Sequence, residues 1–327
     1  MLKIREIDAK IIKELLCSGR KNFSEIAKDC EVTKNKIWKH YKEMKKKRII
    51  TGSTVQMNFA MLGYEALATL LLSVEAQRIN QVVEYIKKIP EIRAYRQYNS
   101  IYNIRAVTTL KKLSELDHVK EAIRRHLPTN NVRTYIWTDV RNIPENLDLM
   151  QEKQKRDTTN EICETPIPRS NWANFKTDTI DWQIVDNLAL DGRKSFSEIA
   201  KKIGTSTDTV AKRFRRLASS GALKVSIQVD PNALGYKSIL DLNVAFAAPA
   251  ENTLEIVNSL ARIPDIIIIT KTTGEYDLQL TAMARDVDDI FRIQDEIAKT
   301  GGVTRIETSA RRIPKKWPTP RQYISTF

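Results

Sequence analysis

The side chains best suited to a chemical task in this sequence are cations gathered in two short stretches. Between Lys34 and Arg48 there are eight Lys or Arg residues against a single acid, Glu43. Laid on a helix, Ile37, Tyr41 and Met44 share one face, and the opposite surface offers Lys34, Asn35, Lys36, Lys39, His40 and Lys42. A second stretch places Thr207, Asp208, Lys212, Arg213, Arg215 and Arg216 opposite Val210, Phe214 and Leu217. A helix with positive charge on its free face and unpaired amides at its start can enter the major groove of double-stranded DNA. Amides, Lys and Arg meet phosphates, and Asn35, Lys36, Thr207 or Asp208 reach base edges. A charged run also describes any solvated helix face, but a pattern that occurs twice weighs against that plainer reading.

These helices need a frame. Ile7, Ile11, Ile12, Leu15 and Leu16 recur at helical spacing, as do Ile180, Ile184, Val185 and Leu188. Short helices follow at 24–29 and 197–202, then tight turns, and Thr33 and Ser206 stand where helix N-caps belong. Short helix, turn and capped helix is the pattern of a helix-turn-helix. The first copy carries Glu31 where the second has the turn residue Gly204. The second head is therefore expected to be the better-formed reader of sequence, and the first to lean on phosphates.

The recurrence extends along the chain. Gly19-Arg-Lys-Asn-Phe-Ser-Glu-Ile-Ala-Lys28 returns as Gly192-Arg-Lys-Ser-Phe-Ser-Glu-Ile-Ala-Lys201, and Leu62-Gly63-Tyr64 returns as Leu234-Gly235-Tyr236. Units of about 150 residues are duplicated, too long a period for a solenoid. After each head come a connecting strand or ribbon (49–58 and 222–230) and segments alternating in the order βαββαβ. The fold class is α+β: two repeats, each a winged-type helix-turn-helix followed by a ferredoxin-like plait. The expected domains are heads at 1–52 and 177–225, plaits at 53–144 and 226–312, a linker at 145–176 and a basic tail at 313–327. The free face of each sheet is read as apolar enough to need a cover, supplied by a second plait within the chain or from another chain. The basic tail is expected to pack Trp317 and Tyr323 against a plait, with contact to the DNA backbone as the alternative, and Trp172 and Phe175 are expected to pin the linker.

The 327 residues carry Lys+Arg 54 against Asp+Glu 40, a formal charge of +14, with 42% hydrophobic residues. That excludes a wholly disordered chain and favours an anionic partner. Cys17, Cys30 and Cys163 support neither a disulfide framework nor a zinc site. No run approaches the roughly 20 apolar residues that span a bilayer, so a cytoplasmic protein without membrane contact is expected. Nucleotide-cradling and zinc-hydrolase motifs are absent, and neither metal nor cofactor is expected.

Taken together, the chain resembles the Lrp/AsnC family of feast/famine transcriptional regulators, here as a tandem fusion of two full-length copies. The resemblance rests on Ile180, Asp181 and Ile184, on Asp191-Gly192-Arg193 followed by Ser197-Glu198-Ile199-Ala200, and on Ser206 with Thr209-Val210. It continues through Leu217, Gly221, Asp230-Pro231 and Gly274-Glu275-Tyr276-Asp277. The first copy departs from it with Arg48 in place of Gly221 and Asn58-Phe59 in place of Asp230-Pro231. The resemblance implies oligomers formed through the plaits and a small effector, commonly an amino acid, beside Thr273, Gly274, Glu275, Tyr276 and Asp277. The first copy has Asn99-Ser100-Ile101-Tyr102-Asn103 there, without the glycine or either acid. Gly274 and Asp277 also suit a plain hairpin turn and its cap.

Two other classes share this architecture. Fused two-copy proteins of the same fold include sirohaem decarboxylases, whose plaits carry histidines suited to a tetrapyrrole. Here His40, His118 and His126 all lie outside the 266–277 segment, which argues against an enzyme. An architectural protein that coats DNA with little sequence preference is the other alternative.

Overall fold

The computed structural model describes residues 4–89, 92–98, 100–125, 132–150, 175–247 and 253–323. Residues 151–174 of the expected linker, with Trp172 and Cys163, and also Asn99 and His126 lie outside the described residues. The first copy contributes α1 (Glu6–Cys17), α2 (Phe23–Asp29), α3 (Lys34–Lys46), β1 (Ile50–Met57), β2 (Ala66–Leu72), α4 (Ile79–Ile86), β3 (Ile92–Arg96), β4 (Ile104–Leu110), α5 (Glu115–Arg124) and β5 (Val132–Asn142). The second repeats the order as α6 (Thr179–Leu190), α7 (Phe196–Ile203), α8 (Thr207–Ser219), β6 (Leu223–Val229), β7 (Ser238–Phe246), α9 (Thr253–Leu260), β8 (Ile266–Thr273), β9 (Leu278–Ala284), α10 (Val287–Ala298) and β10 (Val303–Arg312). A last strand, β11 (Gln322–Tyr323), follows.

The chain divides by function rather than by copy. One unit holds Met1–Leu62, Asn142–Tyr236 and Ile313–Phe327; the other holds Gly63–Arg141 and Lys237–Arg312. The connecting strands therefore belong with the heads, and the expected boundaries at 52 and 225 move to Leu62 and Tyr236. The reason is pairing. β1 and β6 form an antiparallel ribbon with Val55 opposite Val225, and β11 adds in parallel to the free edge of β1. Trp317 is buried and its backbone pairs with Val229, so the tail packs on this ribbon and not on a plait.

In the head unit the third helices are capped as the sequence implies: Thr33 Oγ1 accepts from the Lys36 amide at 3.3 Å, and Ser206 Oγ from the Thr209 amide at 3.0 Å. Gly204 ends α7 in the left-handed region at φ 71°, and Gly221 follows α8 at φ 79°. The first head makes the same two turns with Glu31 at φ 53° and Arg48 at φ 56°. Side chains adopt that conformation at a cost that glycine avoids. Glu31→Gly is expected to stabilise the head unit by about 0.5–1 kcal/mol. The measurement is the denaturant midpoint, and a midpoint that stays put or falls contradicts the expectation.

In the other unit, each plait buries the helix-facing side of its sheet. In the first, Leu70, Leu72, Ile104 and Ala106 pack under Val82, Val83 and Ile86 of α4 and Ile123 of α5. The strand orders β5-β2-β4-β3 and β10-β7-β9-β8 join through β5 and β8 into eight strands. A bridge between Tyr98 and Ala310 links the remaining edges, so the plaits pair within one chain. The face they share is mixed: Leu71, Tyr102 and Tyr135 of the first plait form a buried cluster with Tyr276 of the second, as an apolar face needing a cover implies, and a polar network that was not expected lies beside it. Gln279 Oε1 accepts from both Thr69 Oγ1 and Arg105 Nη2 at 2.8 Å, and Gln97 Nε2 donates to Ser309 Oγ at 2.6 Å. Asp241, 2% exposed, is paired with Arg311 at 2.7 Å. Hydrogen bonds of this kind fix one pairing geometry, which an apolar face does less well.

The cysteine reading is also corrected: Cys17 is disulfide-bonded, whereas Cys30 is free.

Candidate nucleic-acid interface

The two heads are yoked to each other by the repeated Gly-Arg pair. Helix α1 packs on β6 of the second copy, and α6 packs on β1 of the first. Ser226 Oγ donates to the Leu16 carbonyl at 2.9 Å, and Thr54 Oγ1 to the Ala189 carbonyl at 2.8 Å. The Gly19 amide donates to Val225 O at 2.7 Å and the Gly192 amide to Ser53 O at 3.1 Å. Each glycine is needed because a Cβ would lie 2.8 Å from the Ser226 backbone at Gly19 and 2.6 Å from Thr54 O at Gly192. The arginines complete the exchange. Arg20 lies over the rings of Phe196 (4.5 Å) and Phe214 (5.1 Å) and donates to Gly192 O at 2.8 Å. Arg193 lies over Phe23 (5.0 Å) and Tyr41 (5.5 Å) of the first head. Packing of the recognition helices is thereby shared between copies.

On α3 the surface runs as the sequence implies in all but one place. Lys34, Asn35, Lys36, Lys39 and Lys42 are exposed, while Ile37 and Met44 are buried. His40 is the exception: it is 8% exposed and its Nδ1 lies 2.7 Å from Asp8 Oδ1. It anchors α3 to α1 and is withdrawn from the DNA-facing set. Burial pushes the Asp8 carboxyl up, but hydrogen bonds from Arg5 and His40 outweigh it and hold the group below the ordinary carboxylate range. Trp38, which sequence reasoning passed over, is 48% exposed with the Lys42 ammonium 3.7 Å from its ring centroid.

On α8, Thr207, Asp208, Lys212 and Arg216 are exposed and Arg213 is half-buried. Arg213 bonds Asp178 at 2.6 Å and Asp181 at 3.1 Å, and Arg216 reaches Asp181 at 2.5 Å. Asp181 is 1% exposed and forms a capping box with Asp178 at the start of α6. Backbone hydrogen bonding within that box, joined by Arg213, lowers the Asp178 carboxyl. Arg213 thus holds α8 against α6, as His40 holds α3 against α1. Arg216 joins it while its side chain remains 45% exposed.

The segment from Thr273 to Asp277 sits in the plait unit. Thr273, Gly274, Glu275 and Asp277 are exposed and Tyr276 is buried. Their polar groups are engaged from within the chain. Glu275 pairs with Arg133 of the first plait and with Arg305 at 2.7 Å. Tyr276 OH donates to Glu307 at 2.9 Å, and burial reinforced by that carboxylate pushes its phenol up to about 12. Asp277 Oδ2 accepts from the Phe246 amide at 2.8 Å. Gly274, at φ 129°, lies against the Tyr135 ring, 3.3 Å from where a Cβ would stand.

Two yoked, basic, N-capped recognition helices define a winged helix-turn-helix protein joined to paired plaits. Comparisons with known proteins agree. A winged helix-turn-helix DNA-binding model matches residues 4–51, an AsnC-type helix-turn-helix model 178–218, and an Lrp/AsnC ligand-binding-domain model 247–311. An uncharacterized HTH-type transcriptional regulator of Pyrococcus abyssi is 31% identical over 45% of this chain and 92% of its own length. The HTH-type transcriptional regulator FL11 of Pyrococcus horikoshii is 31% identical over 40% of this chain and 86% of its own. The chain belongs to the Lrp/AsnC family of transcriptional regulators, with the two repeats fused. The crystal structure of the siroheme decarboxylase NirDL covers 98% of this chain and 94% of its own at a TM-score of 0.62 and 15% identity, a likeness of fold. Among the described residues, no helix is long and apolar enough to cross a membrane, and no His, Cys, Asp and Glu cluster is suited to a metal ion.

Proposed function

We propose that the chain binds double-stranded DNA as a sequence-specific regulator in the cytoplasm, its two heads engaging two half-sites of one operator. The observation that carries this reading is the yoke itself, which presents two recognition helices from one compact unit, each with cations on its outer face. In this reading Lys34, Lys39, Lys42 and Lys212 supply phosphate contacts, with Arg216 beside them, Lys36 serves phosphate or base, and Asn35, Thr207 and Asp208 are assigned to base edges. We read the chain as a binding protein and not an enzyme, since the likeness to the decarboxylase concerns fold and the sequence of residues 266–277 contains no histidine. A small effector such as an amino acid belongs to this reading through the ligand-binding-domain match. To reach Glu275 it must displace Arg133 or Arg305. Association of further chains has apolar surface available at Leu254, Val287 and Phe291.

The test is binding of the purified chain to labelled DNA from upstream of its own gene and to a scrambled duplex of equal length, each at two salt concentrations. Preferential binding that survives the higher salt is the expected result. Equal and strongly salt-sensitive binding assigns an architectural role instead, and no binding to either overturns the proposal.

A further inference from the structure

An isolated exposed apolar side chain needs no special reason, but Trp38 is not isolated in its setting. It lies four residues from Lys34 and four from Lys42, so the three form one row along the outer face of α3. The corresponding row of α8 is Thr207, Ala211 and Arg215. The heads thus differ at one position flanking the basic surface: an indole in one, a methyl group in the other. A helix with its side chains is about 10–12 Å across and the major groove about 12 Å wide, so an exposed indole on the flank of a helix seated there comes within reach of the groove's contents. The Lys42 ammonium covers the ring at 3.7 Å, and Trp38 is still 48% exposed. In the groove that ammonium has phosphates as alternative partners, which frees the ring at little cost. Thymine offers the apolar feature of a major-groove edge, its C5 methyl.

We infer that Trp38 is a base-contacting side chain that reads a thymine methyl in the first half-site and gives the two heads unequal sequence preferences. This rests on the DNA-binding reading above and extends it from the charged residues to an aromatic one. Lysines on α3 hold the helix on the backbone without regard to sequence, and Trp38 adds discrimination to a head otherwise built for phosphates. The second head, with Ala211, approaches its half-site more closely and reads it through Thr207 and Asp208.

The experiment selects bound duplexes from a randomised pool with the full chain and with Trp38→Ala. The full chain is expected to enrich two unlike half-sites. Trp38→Ala should alter one of them only and bind the original preferred duplex about tenfold more weakly, with an unchanged salt slope. A second arm leaves the protein untouched, so folding of the variant does not matter. Uracil replaces each thymine of the first half-site in turn, removing only the methyl group. One position should weaken binding by the full chain severalfold and leave Trp38→Ala unaffected. Enrichment of the same two half-sites by both proteins, or indifference of the full chain to every uracil, overturns the role of Trp38 while the DNA-binding reading stands. Absence of any enrichment by the full chain overturns sequence-specific reading and this inference together.

Discussion

Replacing Gly192 with alanine is expected to destabilise the head unit by about 2–3 kcal/mol, the range of an overpacked core. The new methyl would stand 2.6 Å from Thr54 O, 2.9 Å from Thr54 N and 2.9 Å from Val225 Cγ1. Two of those atoms are backbone of β1, whose partners on either side are β6 and β11. The strand cannot retreat without breaking ladder hydrogen bonds, and α6 cannot retreat without pulling Arg193 off Phe23 and Tyr41. Gly204→Ala is the informative control. Nothing lies within 4 Å of its added carbon, but φ is 71°, so only the conformational cost of about 1 kcal/mol is expected. Thermal and denaturant melts of the two variants separate the effects. Equal losses would show that crowding at the yoke contributes nothing. Gly192→Ala should also weaken binding to a duplex with two half-sites more than to one with a single half-site, because heads held less firmly gain less from each other.

Exchanging Lys34, Lys36, Lys39 and Lys42 together for glutamine is expected to lower affinity for DNA about a hundredfold or more at 0.1 M salt. The slope of log affinity against log salt should become shallower by about three to four, one phosphate contact per lysine. All four are exposed on α3 while its buried face rests on Ile37, His40 and Met44, so the fold should be little affected. Arg213 gives the opposite expectation, since its partners Asp178 and Asp181 belong to the start of α6. A slope unchanged by the four glutamines would mean that the first head does not touch the backbone.

The architecture was legible because it is written twice: equal motifs at equal spacings required equal folds, and the helices and strands fall where the periodicity places them. The exchange between copies was not legible. A strand sequence such as 50–57 alternates in the same way whichever helix covers it, and nothing local distinguishes β1 under α1 from β1 under α6. The polar part of the covered sheet face was not legible for a related reason. Leu70, Leu72, Leu240 and Leu242 dominate the strand composition but face the helices or share their side, while Thr69, Asp241 and Gln279, one residue out of step, line the pairing. His40 was placed outward with its polar neighbours, although its position three residues after Ile37 puts it on the core side, where it meets Asp8. Trp38 was missed because attention followed the cations. Setting it beside Ala211, its counterpart in the other copy, is the signal that finds it.

The yoke also constrains how the chain comes into being. Gly19 rests on Ser226, a residue synthesised roughly two hundred positions later, so the first head must wait for most of the chain before its partner exists. Until β6 emerges, β1 is a strand with two open edges, the kind of surface that recruits wrong partners. Neither repeat severed from the other retains the strand its first helix packs against. Expressed as separate fragments, the halves should therefore regain their native state through each other, as complementary parts of one domain, and not as two smaller proteins.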